Sequence, residues 1–271
     1  CSLPTNLLSR FFGAPLVGAK IQQLLTDRRY NFRNEILDFN SNINFSSDNG
    51  KTKGALAPNE FWYFWRRFLP FDELDYLPRD ELRRKANLAG FRDELNALAN
   101  IFEKPFAMKA MIMNQNIPEL AEQFEKALFV WIRRDPIFNI QSALEARFRQ
   151  YGNMQTWYSF KIKEYPSLRD LDALESVANQ IYAINYAIET ALSKLPDADK
   201  LEVNYEDFCQ RPEFYHNEIV RKLREKSGIS EMVSGEYKGE AGFINTNSWR
   251  LKEYSRADAE NVYRQIVKHK Y

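Results

Sequence analysis

Residues 127–144, with the sequence ALFVWIRRDPIFNIQSAL, decide the expected fold. Residues 128–132 form a short apolar run of aromatic and branched side chains, which predicts a buried strand in a parallel sheet. Pro136 suits the first turn of a helix, because its missing N–H costs nothing there. The apolar residues Ile137, Ile140 and Leu144 have helical spacing. The segment therefore predicts a strand that turns sharply into a helix.

Arg134 lies at this predicted corner, and Ser142 follows it eight residues later. Open α/β sheets bind anionic ligands where strands end and helices begin. The pair resembles the 3′-phosphate site of sulfotransferases that use 3′-phosphoadenosine 5′-phosphosulfate (PAPS), in which an Arg after the strand and a Ser eight residues on hold that phosphate. The same residues also fit an ordinary corner with a solvated arginine, so the interpretation depends on the rest of the chain.

The composition excludes several classes of protein. The chain has 271 residues and is 44% hydrophobic, which is enough for a sizeable core. Its 38 Lys and Arg nearly balance its 37 Asp and Glu, so a nucleic-acid-binding protein is not expected. Two Cys and two His predict neither a disulfide framework nor a metal site. Without a signal peptide or an apolar run of about 20 residues, we expect a cytoplasmic protein with no membrane span.

Near the N-terminus, Pro4, Thr5 and Asn6 precede a double leucine, a pattern that predicts a turn capping a helix. The segment resembles a degenerate form of the family's 5′-phosphosulfate loop, Arg-Ser-Gly-Thr-Thr-Leu-Leu. By that resemblance Thr5, Asn6 and Leu7 bind the donor's 5′-phosphate through hydroxyl and backbone N–H groups. Pro4 replaces the glycine and Ser2 the basic residue. The strand that precedes this loop in the family is absent, so we expect the sequence to begin within the motif.

Glu60 and Lys109 are the candidates for the chemistry. Asn59 is predicted to cap a short aromatic helix with Glu60 in its first turn, where a carboxylate also favours the helix N-terminus. Some sulfotransferases place a glutamate general base in this region, and the resemblance gives Glu60 that role. Lys109 follows a predicted strand over 106–108 and precedes Ile-Pro-Glu-Leu at 117–120, as in the family. There the lysine neutralises charge on the transferred group and the leaving phosphate.

Two C-terminal blocks complete the resemblance. Alternating apolar residues over 201–205 predict a strand leading into Tyr-Glu-Asp-Phe at 205–208, which is similar to a family block whose Tyr lies near the adenine. For the acidic pair at 206–207, a capping role is favoured. Lys-Gly at 238–239 and Ser-Trp-Arg at 248–250 resemble two forms of the loop that closes over the 3′-phosphate. The resemblance thus implies donor binding by Tyr205, Lys238, Ser248, Trp249 and Arg250.

These blocks follow the family's order along the whole chain. They imply an α/β fold in one domain over residues 1–271, with a small parallel sheet flanked by many helices, as in P-loop-NTPase-like sulfotransferases. The implied reaction moves a sulfuryl group from PAPS to a hydroxyl or amine of a small-molecule, glycan or lipid acceptor. It releases 3′-phosphoadenosine 5′-phosphate (PAP) and needs no metal.

Two alternatives stay open. A nucleotide-dependent kinase would share the strand–loop–helix layout, but Gly-x-x-x-x-Gly-Lys-Ser/Thr does not occur in the sequence. A non-catalytic, sulfotransferase-like binding protein would account for the degenerate loop at Pro4–Leu7 without any chemistry.

Overall fold

A computed structural model of the chain describes residues 1–27, 29–30, 47–48, 51–227 and 236–269. The chain divides into two compact units. The first comprises Cys1–Asp72 and Leu77–Ile112, and the second comprises Glu73–Tyr76 and Met113–Tyr271.

The first unit consists of short helices and a two-residue antiparallel ladder. Its elements are α1 (Asn6–Arg10), α2 (Pro15–Thr26), β1 (Ser47–Asp48), β2 (Lys51–Thr52), α3 (Trp62–Arg66), α4 (Arg79–Lys85) and α5 (Leu88–Phe102). A 3₁₀ turn, Met111–Met113, follows along the chain.

Stacked aromatic side chains from α3, from Phe61 just before it and from α5 form part of the core of the first unit. Phe61 stacks on Phe64 with ring centroids 4.4 Å apart, and Trp65 stacks on Phe91 at 4.6 Å. All four side chains are buried. Burial of large aromatic rings is the main stabilising contribution that so short a helix as α3 can make.

The second unit contains the longer helices and a parallel pair of strands. Its elements are α6 (Ile117–Ala121), β3 (Phe129–Arg133), α7 (Pro136–Tyr151), α8 (Tyr165–Leu168), α9 (Ala173–Ser193), β4 (Lys200–Asn204), α10 (Tyr205–Gln210), α11 (Pro212–Ser227) and α12 (Arg256–His269). A 3₁₀ turn, Asp197–Asp199, precedes β4.

β3 and β4 pair in parallel, with Phe129 opposite Lys200 and Arg133 opposite Asn204. The fold is therefore mixed α/β, with a small parallel sheet among many helices, which confirms the predicted fold class. The predicted burial of the strand is only partly correct. Trp131 is buried, but Val130 is 41% and Ile132 64% exposed. The two side chains point to the face opposite Trp131, because side chains alternate along a strand.

The strand-to-helix corner has the predicted form. Pro136 occupies the first turn of α7, and the Asp135 side chain caps the helix by accepting from the Ile137 N–H at 2.9 Å. Ile140 and Leu144 of α7 pack with residues of α9 and α12 in one buried cluster. The helix is thus fixed by its cap and by its apolar face.

Other predictions need correction. Helical spacing of apolar residues over 79–102 predicts one helix, but the structure has two, α4 and α5, because Asn87 caps α5 by accepting from the Gly90 N–H. The strand predicted over 106–108 is a single parallel bridge between Ser2 and Phe106. Asn59 does not cap α3, since the residue at the N-cap is Phe61. Glu60 accordingly precedes the helix instead of lying in its first turn.

Candidate active site

In the first unit, Lys109 and Glu60 form an ion pair. The Lys109 Nζ lies 3.2 Å from Glu60 Oε1. The other carboxylate oxygen, Oε2, accepts a hydrogen bond from Trp62 Nε1 at 2.7 Å. Helix α3 also holds the Lys109 backbone, because Trp65 Nε1 donates to its carbonyl oxygen at 3.2 Å. Two predicted catalytic residues, distant in sequence, are thereby brought together by the same aromatic helix.

This pair lines a cavity of about 250 Å³. The rest of the lining is mostly apolar and includes Leu3, Pro4, Pro58, Ala107 and Met108. A cation and a carboxylate facing one cavity can exchange a proton with a bound hydroxyl and stabilise negative charge that develops beside it.

The residues of the predicted 5′-phosphate loop already have partners within the unit. Thr5 is 3% exposed; its hydroxyl donates to Gln22 Oε1 at 2.6 Å and accepts from the Leu8 N–H. The Asn6 N–H donates to the Ala57 carbonyl at 3.0 Å, and the Leu7 N–H donates to the Ala55 carbonyl at 2.7 Å. The donors that a phosphate would need at this turn are therefore used inside the protein.

The Asn6 side chain ties the same turn to its surroundings. Its Nδ2 donates to the Gly54 carbonyl at 2.9 Å, and its Oδ1 accepts from Asn59 Nδ2 at 2.7 Å. The backbone N–H of Asn59 donates to the Pro4 carbonyl. The turn at Thr5 and the residue that precedes Glu60 are thus one hydrogen-bonded structure.

In the second unit, Arg134 makes direct contacts with two neutral side chains. Its Nε donates to Asn247 Oδ1 at 2.7 Å, and its guanidinium lies over the Tyr205 ring, 4.9 Å from the centroid. The Tyr205 hydroxyl is 3.2 Å from Thr246 Oγ1. Arg134, Tyr205 and the segment around Asn247 therefore meet where β3 and β4 end.

Glu206 links this cluster to the corner after β3. One of its oxygens, Oε1, accepts from the Asp135 N–H at 3.1 Å and from Asn247 Nδ2 at 2.7 Å. Partial burial acts to raise the pKa of Glu206. The hydrogen bonds from the Asp135 and Glu206 N–H groups and from Asn247, with the charge of Arg134, outweigh burial and hold that pKa below its usual value.

The Ser248–Arg250 segment is fixed against α7 by Gln141, which is 1% exposed. Gln141 Nε2 donates to the Ser248 carbonyl at 2.9 Å, and Gln141 Oε1 accepts from the Arg250 N–H at 2.6 Å. The Arg250 guanidinium pairs with Glu145 at 3.1 Å, which raises the pKa of Arg250. Trp249 packs against the core that α7 shares with α9 and α12.

Two other predicted donor-binding residues lie apart from these contacts. Ser142 is half-buried beside Gln141 on α7. Lys238 is exposed, and none of the contacts found in the described part of the chain joins it to Arg134.

Sequence reasoning missed three residues that organise the two sites: Trp62, Gln141 and Asn247. Each of these residues donates or accepts a hydrogen bond through a neutral side chain, and neither charge nor motif spacing distinguishes it in the sequence. The Asn247 contact with Arg134 spans 113 residues, and the Gln141 contact with Ser248 spans 107. The position of Asn247 beside the Ser-Trp-Arg block is the one sequence signal that pointed toward it.

Two further properties of the described residues bear on function. Among them, no three His, Cys, Asp or Glu side chains are grouped so that they could hold a metal ion. None of the helices formed by these residues has both the length and the apolar character that crossing a bilayer requires.

A model of the Sulfotransferase family matches residues 48–226 of the chain. The match includes Glu60, Lys109, Arg134, Ser142 and Tyr205, and leaves out the N-terminal turn and the segment that contains Asn247. The mixed α/β fold with its small parallel sheet is consistent with this family. No curated protein and no solved structure matches the chain.

Proposed function

Because the chain belongs to the sulfotransferase family, we propose that it transfers a sulfuryl group from PAPS to a hydroxyl or amine acceptor. The observation that carries this proposal is the contact between Lys109 and Glu60. These residues are 49 positions apart in sequence, yet their charged groups are 3.2 Å apart on the wall of one cavity.

In the proposed reaction, Glu60 takes the proton from the acceptor as the acceptor oxygen or nitrogen bonds to sulfur. The bond between sulfur and the 5′-phosphate oxygen of PAPS breaks, and its electron pair stays on the phosphate of PAP. Lys109 stabilises negative charge on the transferred group and on that leaving oxygen. Charge stabilisation and positioning are what such in-line transfers require from a protein.

We assign the donor's 3′-phosphate to Arg134 and Ser142 and the adenine to the neighbourhood of Tyr205. The support is the state of Arg134, whose Nε bonds to an amide oxygen instead of a carboxylate. A guanidinium whose direct contacts are neutral, and whose charge Glu206 balances only through space, keeps N–H donors and positive charge available for a phosphate. Lys238, Ser248, Trp249 and Arg250 complete the proposed 3′-phosphate loop.

One observation favours a second candidate function, a sulfotransferase-like protein that binds ligand without catalysing transfer. The N–H groups of Asn6 and Leu7 already bond to the carbonyls of Ala57 and Ala55. Binding of the 5′-phosphate by Thr5, Asn6 and Leu7 therefore requires the 55–57 segment to release these donors.

Isothermal calorimetry with PAP tests the donor before any acceptor is known. PAP should bind more tightly than ATP, and adenosine 5′-phosphosulfate, which lacks the 3′-phosphate, should bind more weakly than PAP. Stronger binding of ATP would revive the kinase alternative. No binding of PAP would refute the sulfotransferase proposal.

A screen of acceptors distinguishes a catalytic sulfotransferase from a non-catalytic, sulfotransferase-like binding protein. Phenols, alcohols, amines, glycans and glycolipids would be incubated with radiolabelled PAPS, and labelled products counted. Transfer to any of these acceptors supports catalysis. Binding of PAP without transfer across the panel favours the non-catalytic relative.

A further inference from the structure

The carboxylate of Glu60 has a different partner on each oxygen. The bond from Trp62 Nε1 to Oε2 is 2.7 Å, whereas the contact from Lys109 Nζ to Oε1 is 3.2 Å. The Lys109 side chain is 57% exposed and that of Glu60 is 21% exposed. Exposed ion pairs between long side chains hold geometry poorly, so the indole N–H is the partner that fixes the orientation of the carboxylate.

The backbone explains how Trp62 reaches a residue only two positions before it. Residues two apart on a regular helix do not face each other. Phe61, which lies between them, is in the left-handed conformation with φ 60° and ψ 31°. For a bulky residue this conformation is unfavourable and needs support from its surroundings.

Phe61 has that support. Its side chain is fully buried and stacks on Phe64, and its N–H donates to Asn59 Oδ1 at 2.8 Å. The turn is therefore maintained by packing and by Asn59, and it brings Glu60 and Trp62 together.

We infer that Trp62 is a positioning residue: its indole N–H holds the Glu60 carboxylate so that a single oxygen faces Lys109. The inference rests on the proposed function, in which Glu60 takes the acceptor's proton. Without the indole donor, the carboxylate can rotate and bond to the ammonium through both oxygens. Its lone pairs would then be occupied by Lys109 instead of being aligned for the acceptor.

The variant Trp62→Phe removes the N–H but keeps an aromatic ring under the Arg66 guanidinium, which lies 5.9 Å from the Trp62 ring. We expect kcat to fall about tenfold, the equivalent of one hydrogen bond to a charged group, with KM for PAPS and acceptor unchanged. Trp62→His retains a ring N–H and should restore part of the lost turnover. Trp157→Phe is the matched control, because Trp157 Nε1 donates to a backbone carbonyl, that of Phe160.

A second measurement does not depend on catalysis. The rate at which acetic anhydride acetylates Lys109 is followed by mass spectrometry, with Lys85, which pairs with Glu81, as the internal reference. In Trp62→Phe the rate at Lys109 should fall relative to wild type, since a carboxylate bonded through both oxygens covers the ammonium.

An unchanged kcat in Trp62→Phe, or equal changes in kcat and KM, overturns the positioning role while leaving sulfuryl transfer intact. An unchanged acetylation rate at Lys109 overturns it as well. If the wild-type protein transfers no sulfuryl group, the proposed function fails, and the acetylation rates alone decide whether Trp62 orients Glu60.

Discussion

Lys109 in the first unit and Arg134 in the second are the cations with the largest proposed roles, and their surroundings differ. Lys109 faces a carboxylate, Glu60 Oε1, at 3.2 Å. Arg134 bonds to an amide oxygen of Asn247 and lies over the Tyr205 ring. An amide oxygen satisfies an N–H without neutralising it. Arg134 thus keeps a charge for binding an anion, whereas Lys109 and Glu60 form a pair suited to moving a proton.

The difference also concerns how firmly each cation is held. The Lys109 side chain is 57% exposed, so its ion pair contributes at most about 1 kcal/mol and opens at little cost. Ready opening allows Lys109 to act on charge that appears during a reaction. Arg134 is fixed by contacts to two other chain segments, which suits a permanent binding site.

The largest effect is expected from Lys109→Ala. Removing a cation that acts mainly on developing charge should lower turnover by about 10²–10³-fold. PAP affinity should change much less, as measured by calorimetry beside single-turnover kinetics. Lys85→Ala, which breaks the exposed pair with Glu81, is the control and should leave turnover intact. Equal losses of affinity and turnover would show that Lys109 is a binding residue like Arg134, and the two cations would then not differ in role.

The next effect is expected from Glu60→Gln. Gln keeps the shape and still accepts from Trp62, but it cannot take a proton, so turnover at neutral pH should fall about 10²-fold. The melting temperature should change little. Glu94→Gln serves as the control, because Glu94 is also a half-buried carboxylate paired with a cation, Arg67, at 2.7 Å. Full activity of Glu60→Gln with an identified acceptor would show that Glu60 is structural.

A smaller effect is expected from Arg134→Ala. Loss of a charged hydrogen bond to the 3′-phosphate should weaken PAP binding by about 2 kcal/mol, or about thirtyfold. Binding of adenosine 5′-phosphosulfate, which lacks that phosphate, should barely change. Arg133→Ala is a matched control: the adjacent arginine pairs with Glu202 at 3.2 Å and should not affect either ligand. Equal losses of affinity for PAP and for adenosine 5′-phosphosulfate would show that Arg134 does not bind the 3′-phosphate.

The structure also shows which parts of the fold the sequence could predict. The corner after β3 was predictable because its signals are local: an apolar run, a capping Asp135 and Pro136. The exposure of Val130 and Ile132 could not be predicted from sequence, because the burial of a strand depends on what packs against each of its faces. The break between α4 and α5 was visible in principle as the cap at Asn87, but helical spacing across it suggested one helix.

Sequence reasoning indicated the charged members of the candidate site and Tyr205, but not the neutral side chains that hold the charged groups. The family resemblance indicated Lys109, Glu60 and Arg134, since charge and order mark them. The contacts of their neutral partners depend on the folded backbone. Trp62 reaches Glu60 because the residue before it is left-handed, and Asn247 reaches Arg134 across 113 residues of sequence. Neither arises from local sequence preferences.

The smallest effect concerns Glu206 and the stability of the second unit. Its pKa is lowered in the folded protein from an ordinary value of 4.5. The stabilisation by the ionised carboxylate is therefore fully present above pH 4.5 and is lost as the pH falls through the lower folded-state pKa. Glu206→Gln keeps an acceptor oxygen but replaces charge-assisted hydrogen bonds with weaker neutral ones, and should destabilise the protein at pH 7 by about 1 kcal/mol. The difference from wild type in urea unfolding should shrink below about pH 4.5.

Glu125→Gln, at an exposed glutamate, is the control variant. The decisive experiment measures the destabilisation caused by Glu206→Gln in a protein that also carries Arg134→Ala. Hydrogen bonds from Asp135 and Asn247 lower the pKa of Glu206 more than the charge of Arg134 does. The destabilisation at pH 7 should therefore be nearly the same with or without Arg134. If it vanished when Arg134 was removed, Glu206 would be the counter-ion of Arg134. Both cations would then be neutralised by carboxylates, and Arg134 would hold no surplus charge for a phosphate.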